Sequence, residues 1–115
     1  MAIVFRGDLR ICRAKVASNF FSRARGLMLK GRLKKGEGLL IEFSSRLKSR
    51  SVHSFFMRFP IDLIFIDEDM EVVDLKTLAP WGIYNPAGQC KFVLEVDKGT
   101  IDENNMKVGD KLGVE

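Results

Sequence analysis

Pro60–Ile–Asp–Leu–Ile–Phe–Ile–Asp67 decides the fold. Ile61–Ile66 is apolar at odd and even positions alike, except for Asp62. A short run apolar on both sides reads as a strand covered on both faces, not as half of an amphipathic helix. Asp67–Glu68–Asp69 follows as a tight turn, and Met70–Leu78 reads as the return strand of a hairpin. Asp62 is the anomaly. An ionised carboxylate inside an apolar strand must be paired, hydrogen-bonded or protonated. Arg25 and Arg58 are the partners expected, with the planar fork of Arg25 the first choice. Such a pair can lock a helix onto the sheet or anchor a ligand.

Working outward, Ala2–Phe5 and Leu9–Val16 read as strands of a second hairpin around Arg6–Gly7–Asp8. Leu39–Phe43, Val52–Met57, Cys90–Val96 and Lys111–Val114 read as further strands. Ser18–Leu29 is the one convincing helix. Ser18 stands at its N-cap, and Phe20, Ala24, Leu27 and Met28 form its apolar stripe. Lys30–Gly38 and Ser44–Arg50 are polar loops, and Ala79–Gln89 is a long loop holding Trp81 and Tyr84. Gly99–Met106 is expected to make a helical turn capped by Thr100. Seven or eight short strands and one packed helix predict a mainly β, single-domain sandwich or barrel over residues 1–115.

The 115 residues (13.0 kDa) suffice for one domain with its own core. No apolar run is long enough to span a bilayer. The amino-terminal stretch lacks the basic and long apolar regions of a signal peptide, so a cytoplasmic protein with no membrane association is expected. Cys12 and Cys90 are expected to be reduced, buried thiols, a disulfide between them being the alternative. With His53 the sole histidine and no CxxC, no metal or cofactor site is expected.

Charge is lopsided. Residues 1–58 carry 14 Lys and Arg against 3 Asp and Glu, a balance of +11, and residues 59–115 carry 5 against 12, a balance of −7. A basic half can signal nucleic acid, with Arg23–Lys35 as the surface. Mutual neutralisation of the two halves accounts for the pattern better, so specific nucleic-acid binding is not expected.

Arg25–Gly–Leu–Met28, Gly38–Leu–Leu–Ile41, His53–Ser–Phe–Phe–Met–Arg58, Pro60–Asp67, Leu94–Glu–Val96, Gly99 and Val108–Gly–Asp110 occur in this order over nearly the whole chain. In that set the chain resembles domain-of-unknown-function family 192, of UPF0127 type. The resemblance implies a mainly β fold of sandwich or jelly-roll type and no established activity, hence no catalytic residues to transfer. Many members have tryptophan where this chain has Phe56, and Asn–Thr where it has Phe59. Many also carry an export signal or lipid anchor, which is not expected here.

Alternation on the Val52–Arg58 strand puts His53, Phe55 and Met57 on one face and Ser54, Phe56 and Arg58 on the other. His53 can line a pocket, serve as general acid or base, or simply fill the core. Trp81 can cover a cleft or plug an open end. The leading reading is a non-enzymatic module that binds a small molecule or a protein. Its cleft lies between the helix, the His53–Met57 strand and the Trp81 loop, lined by Arg25, His53, Phe55, Met57, Arg58, Asp62 and Trp81. The alternatives are a hydrolase-type enzyme using His53 and Asp62, and an RNA-binding accessory protein using Arg23–Lys35. A Cys90–His53–Asp62 arrangement has no local motif behind it, and no phosphate-binding glycine loop is present.

Overall fold

The structure, a computed structural model, describes residues 2–17, 34–43, 52–53 and 58–115, with the backbone alone for Ala17 and His53. The strands are β1 (Ala2–Arg6), β2 (Leu9–Ala17), β3 (Glu37–Glu42), β4 (Val52–His53), β5 (Ile61–Ile66), β6 (Val72–Leu78), β7 (Ile83–Tyr84), β8 (Phe92–Asp97) and β9 (Gly113–Val114). One short helix, α1 (Thr100–Glu103), follows β8. The expected helix over residues 18–29 and most of the Val52–Met57 strand lie outside the described residues.

Both-sided apolarity in Ile61–Ile66 has the expected cause. β5 lies inside a seven-stranded sheet of order β6-β5-β8-β3-β2-β1-β9, and all six of its residues are buried. Its even positions, Ile64 and Ile66, share an inner core with Val4, Cys12, Ala14, Leu40, Leu94 and Val96. Its odd positions, Ile61, Leu63 and Phe65, share an outer core with Leu39, Ile41, Val52, Leu78, Cys90 and Val93. Alternation in β2 holds at Cys12 and Ala14, which point inward, and at Arg13 and Lys15, which are exposed. It breaks at Ile11, which joins the inner core where the register with β1 shifts at Val4/Phe5.

The sheet curls into a half-barrel. Lys111, just before β9, bridges Glu71, just before β6. Val72 donates to Asp110 O, and Gly109 donates to Val72 O, both at 2.8 Å. The Val108–Gly–Asp110 motif is thus the joint that brings the two margins of the sheet together. Gly109 supplies the left-handed backbone it needs (φ 98°). Asp110 accepts from the Lys107 amide at 2.8 Å and from Arg6 of β1 at 3.1 Å.

Two pairings were not expected. β2 and β3 run parallel, an arrangement that a two-residue hairpin turn cannot join. β7 forms inside the expected long loop and pairs antiparallel with β4, Val52 against Tyr84 and His53 against Ile83. The approach of β3 to its neighbours is close. A Cβ on Gly38 would stand 3.0 Å from Val96 Cγ1, 3.1 Å from Glu95 O and 3.2 Å from Cys12 Sγ.

Candidate functional site

Asp62 lies on the inner face and is 1% exposed. Its Oδ1 accepts from the hydroxyl of Thr77, its cross-strand neighbour on β6, at 2.7 Å. Its Oδ2 accepts from the backbone N–H groups of Gly99 at 3.0 Å and Ile101 at 3.1 Å. These are amides that the start of a helix leaves without intrahelical partners. The sheet therefore caps α1 from 37 and 39 positions away in sequence. The expected cap, Thr100, does something else: its hydroxyl donates to Asp97 O at 2.8 Å, and Gly99, with φ 103°, takes the N-cap position. Of the two arginines expected beside Asp62, Arg58 alone falls among the described residues. Arg58 is exposed, and the described partners of Asp62 are a hydroxyl and two amides. Arg25 lies outside the described residues, as do Phe55 and Met57.

A second carboxylate is buried on the outer face. Glu95, 1% exposed, stands between Leu63 of β5 and Leu39 of β3 in the paired strands. The argument applied to Asp62 fits it equally well: Phe92–Val–Leu–Glu–Val96 is an apolar strand broken by one acid. Sequence reasoning passed over it.

The outer face also carries the elements around Trp81. β6 ends at Leu78, opposite Ile61, so Ala79–Trp81 leaves the sheet at the end where Arg58–Pro60 enters it. Trp81 has a left-handed backbone (φ 61°) and is 61% exposed; Ile83 is 64% exposed. Tyr84 returns to the sheet. Its ring packs on Phe65 with centroids 5.8 Å apart, and its hydroxyl donates to Asp74 Oδ2 at 2.6 Å. Burial pushes the Asp74 carboxyl up. The bonds from Tyr84, Ala87 and Leu75 and the charge of Lys76 outweigh burial and hold it below the usual carboxylate range. The bond to Asp74 pushes the Tyr84 hydroxyl above its ordinary value.

The structure thus brings the His53 strand and the Trp81 loop together through β4 and β7. It places Asp62 on the inner face, and Val52 of β4 and Tyr84 of β7 against the outer core. Cys12 and Cys90 are buried and not joined in a disulfide, Cys12 in the inner core and Cys90 in the outer. Burial pushes the Cys12 thiol up to about 11, against the opposing charge of Arg10. Among the described residues no group of three His, Cys, Asp or Glu could hold a metal ion, and no helix is long and apolar enough to cross a membrane. Of the basic run Arg23–Lys35, the described Lys35 lies 3.4 Å from Glu103 in an exposed ion pair.

The model of the DUF192 family, described as uncharacterized ACR, matches residues 2–114. A UPF0127 protein of Thermococcus sibiricus is 40% identical over 107 residues, 93% of this chain and 69% of that protein. A solved protein of unknown function from Novosphingobium aromaticivorans matches with a TM-score of 0.81 at 24% identity, over 97% of this chain and 82% of that one. A Sinorhizobium meliloti structure, labelled a candidate transcription regulator, matches with a TM-score of 0.82 at 18% identity, over 98% of this chain and 91% of that one. Both structural likenesses concern the fold alone.

Proposed function

The chain belongs to the DUF192 family, which is described only as uncharacterised, and from that premise we propose that it is a small non-enzymatic binding domain. Its contact surface is the Trp81 loop, with Ile83 and the neighbouring His53 strand. One observation carries the reading. A bulky residue in the left-handed region is a strained outlier, and here that residue is a tryptophan with 61% of its surface exposed. The glycine that would relieve the strain stands one position later, where a Cβ would come within 2.8 Å of Leu78 Cδ1. Fold stability gains little from presenting Trp81 and Ile83 to water; a contact surface gains much.

Charge indicates the occupant. Residues 44–60, which flank and include β4, hold Arg46, Lys48, Arg50 and Arg58 and no Asp or Glu. A stretch that is cationic in sequence, next in the chain to the strand that pairs with β7, suits a small anionic aromatic molecule. The hydrolase reading needs His53 and Asp62 together, and Asp62 belongs to the scaffold of the other face. The RNA reading rests on Arg23–Lys35, away from this surface in sequence.

Trp81 is the sole tryptophan, so its emission reports on this surface directly. Titration with 8-anilinonaphthalene-1-sulfonate should quench it saturably, with energy transfer to the probe. Trp81→Ala and Ile83→Ala should abolish probe binding with little change in melting temperature, and Arg58→Ala should weaken it. A probe that binds Trp81→Ala as well as the parent, or never saturates, removes the reading.

A further inference from the structure

We propose that residues 79–89 form a strap across the outer face, latched by Asp74, and that this latch sets how Trp81 is presented. The strap is rooted at Leu78, which is buried and paired with Ile61. It turns through Ala79–Gly82, where Gly82 donates to Ala79 O at 3.2 Å. Trp81 stands at that turn. Three residues later the Tyr84 hydroxyl and, three further on, the Ala87 amide both donate to one atom, Asp74 Oδ2, at 2.6 and 2.8 Å. Asp74 is held in place to receive them, because its Oδ1 accepts from the Leu75 amide at 2.8 Å. Register does the aiming. The β5–β6 pairing shifts between Phe65 and Ile66, and the shift sets Asp74 opposite Phe65, the ring on which Tyr84 packs. Lys76 Nζ lies over the Tyr84 ring, 5.5 Å from its centroid.

Two ties that converge on one oxygen break together. A single event at Asp74 therefore frees the far side of the strap from β6 while its root at Leu78 stays in the sheet. With that tie to β6 lost, the segment from Ile83 to Ala87 loosens on the outer face and the Phe65 side of that face opens more readily. Thus a strap carrying an exposed aromatic and tied to β6 at one carboxylate is a lid with a defined catch on that strand. The consequence for ligand entry rests on the binding surface proposed above; the latch does not.

Hydrogen exchange measured by mass spectrometry on the ligand-free protein tests it, comparing the parent with Tyr84→Phe and Asp74→Asn. Tyr84→Phe keeps the ring on Phe65 and removes only the hydroxyl. Amides of Ile83, Tyr84, Asn85 and Ala87 should exchange about tenfold faster or more in both variants, the factor carried by one hydrogen bond to a charged group. Acrylamide quenching of Trp81 should change in parallel, while amides of β3 and β8 keep the parent's rates. Unchanged exchange at 83–87 overturns the latch. A uniform rise across all strands also overturns it, since that is loss of global stability. Failure of the anilinonaphthalene probe to bind the parent overturns the surface and leaves the exchange result standing, so the two ideas fail separately.

Discussion

Asp62 and Glu95 are near neighbours on adjacent strands, each 1% exposed, on opposite faces of one sheet. Asp62 faces inward and meets donors that the fold itself positions, a threonine on the next strand and two amides at the start of α1. Glu95 faces outward between two leucines, under the side of the sheet that the two-residue strands β4 and β7 cover. Burying a carboxylate is costly wherever it happens. On the inner face the cost is met by backbone geometry, and the result is a closed joint between sheet and helix. On the outer face the cover includes a strained tryptophan and two large exposed apolar side chains, Trp81 and Ile83. Burial of an acid therefore does not mark a functional site by itself. What distinguishes the two faces is the nature of the elements that cover them.

The largest effect expected from this contrast is at Asp62. Asp62→Ala removes the acceptor of the Gly99 and Ile101 amides at the start of α1, and a group left unsatisfied away from water costs about 1–3 kcal/mol, while the exposed Thr77 hydroxyl can turn to water. A domain of ordinary stability, about 5–15 kcal/mol, should melt visibly earlier. Asp62→Asn keeps one acceptor oxygen and should cost less. Thr77→Val should couple non-additively to Asp62→Ala in a double-mutant cycle. Meanwhile the emission of folded Trp81 should match the parent's. A melt like the parent's, or a shifted Trp81 emission maximum in the folded variant, erases the distinction between the faces.

Next in size is Gly38→Ala. The added methyl would press on Val96, the Glu95 carbonyl and Cys12 Sγ, all within 3.2 Å. Overpacking of this kind costs about 1–3 kcal/mol. Denaturant unfolding should show a lower midpoint and an unchanged slope. No loss of stability would mean that β3 can shift against β8 freely, and the tight inner packing argued for here would be wrong.

What could be read in advance follows the range of the interactions. Ile61–Ile66 appears as expected, because burial on both faces is written into six consecutive residues. The hairpins β1–β2 and β5–β6 were legible because their turns, Arg6–Gly–Asp8 and Asp67–Asp69, are local. In the second, Asp67 Oδ1 accepts from the amides of Asp69 and Glu71, both at 2.9 Å. The parallel β2–β3 pair, the joint at Gly109–Asp110 and the β4–β7 pair depend on residues far apart in sequence, and no local pattern announces them. Asp62 stands out in the sequence, but its described partners include two backbone amides nearly 40 positions away, and backbone amides have no sequence signature. Glu95 is legible by the same pattern, one acid inside the apolar run Phe92–Val96.

Acid should separate the faces more gently. Asp74 on the outer side and Asp110 at the joint both have carboxyls held below the usual range. For Asp110 the Lys107 amide is the main cause, opposed by burial and aided by Arg6. A carboxyl lowered on folding stabilises the native state above its unfolded pKa and loses that contribution as pH falls through its folded value. Both contributions should therefore be intact at neutral pH and fade only below about pH 4. In the parent, acid titration of Trp81 emission should show a step in that range. Asp74→Asn should remove the step and leave the far-ultraviolet circular dichroism transition in place. A step that survives in Asp74→Asn assigns the acid response to another group and detaches Trp81 from the latch.

The smallest effect is the most direct comparison of the two faces, because each holds one buried cysteine. Neither thiol should react readily in the native protein, since a buried thiol is mostly protonated and shielded. Both should be labelled in denaturant without reductant, as free thiols must be. The informative quantity is the ratio of slow native labelling rates, which reports local opening. Cys12 lies in the inner core, and burial pushes its thiol up to about 11. Cys90 lies in the outer core, one residue beyond the end of the strap. If the outer face opens by release of the strap, Cys90 should label faster than Cys12, and Tyr84→Phe should widen the gap by accelerating Cys90 alone. Equal rates, rising together in Tyr84→Phe, would mean that both thiols are reached only through global unfolding. The outer face would then be as closed as the inner one, and Trp81 would be a strained ornament on a rigid scaffold.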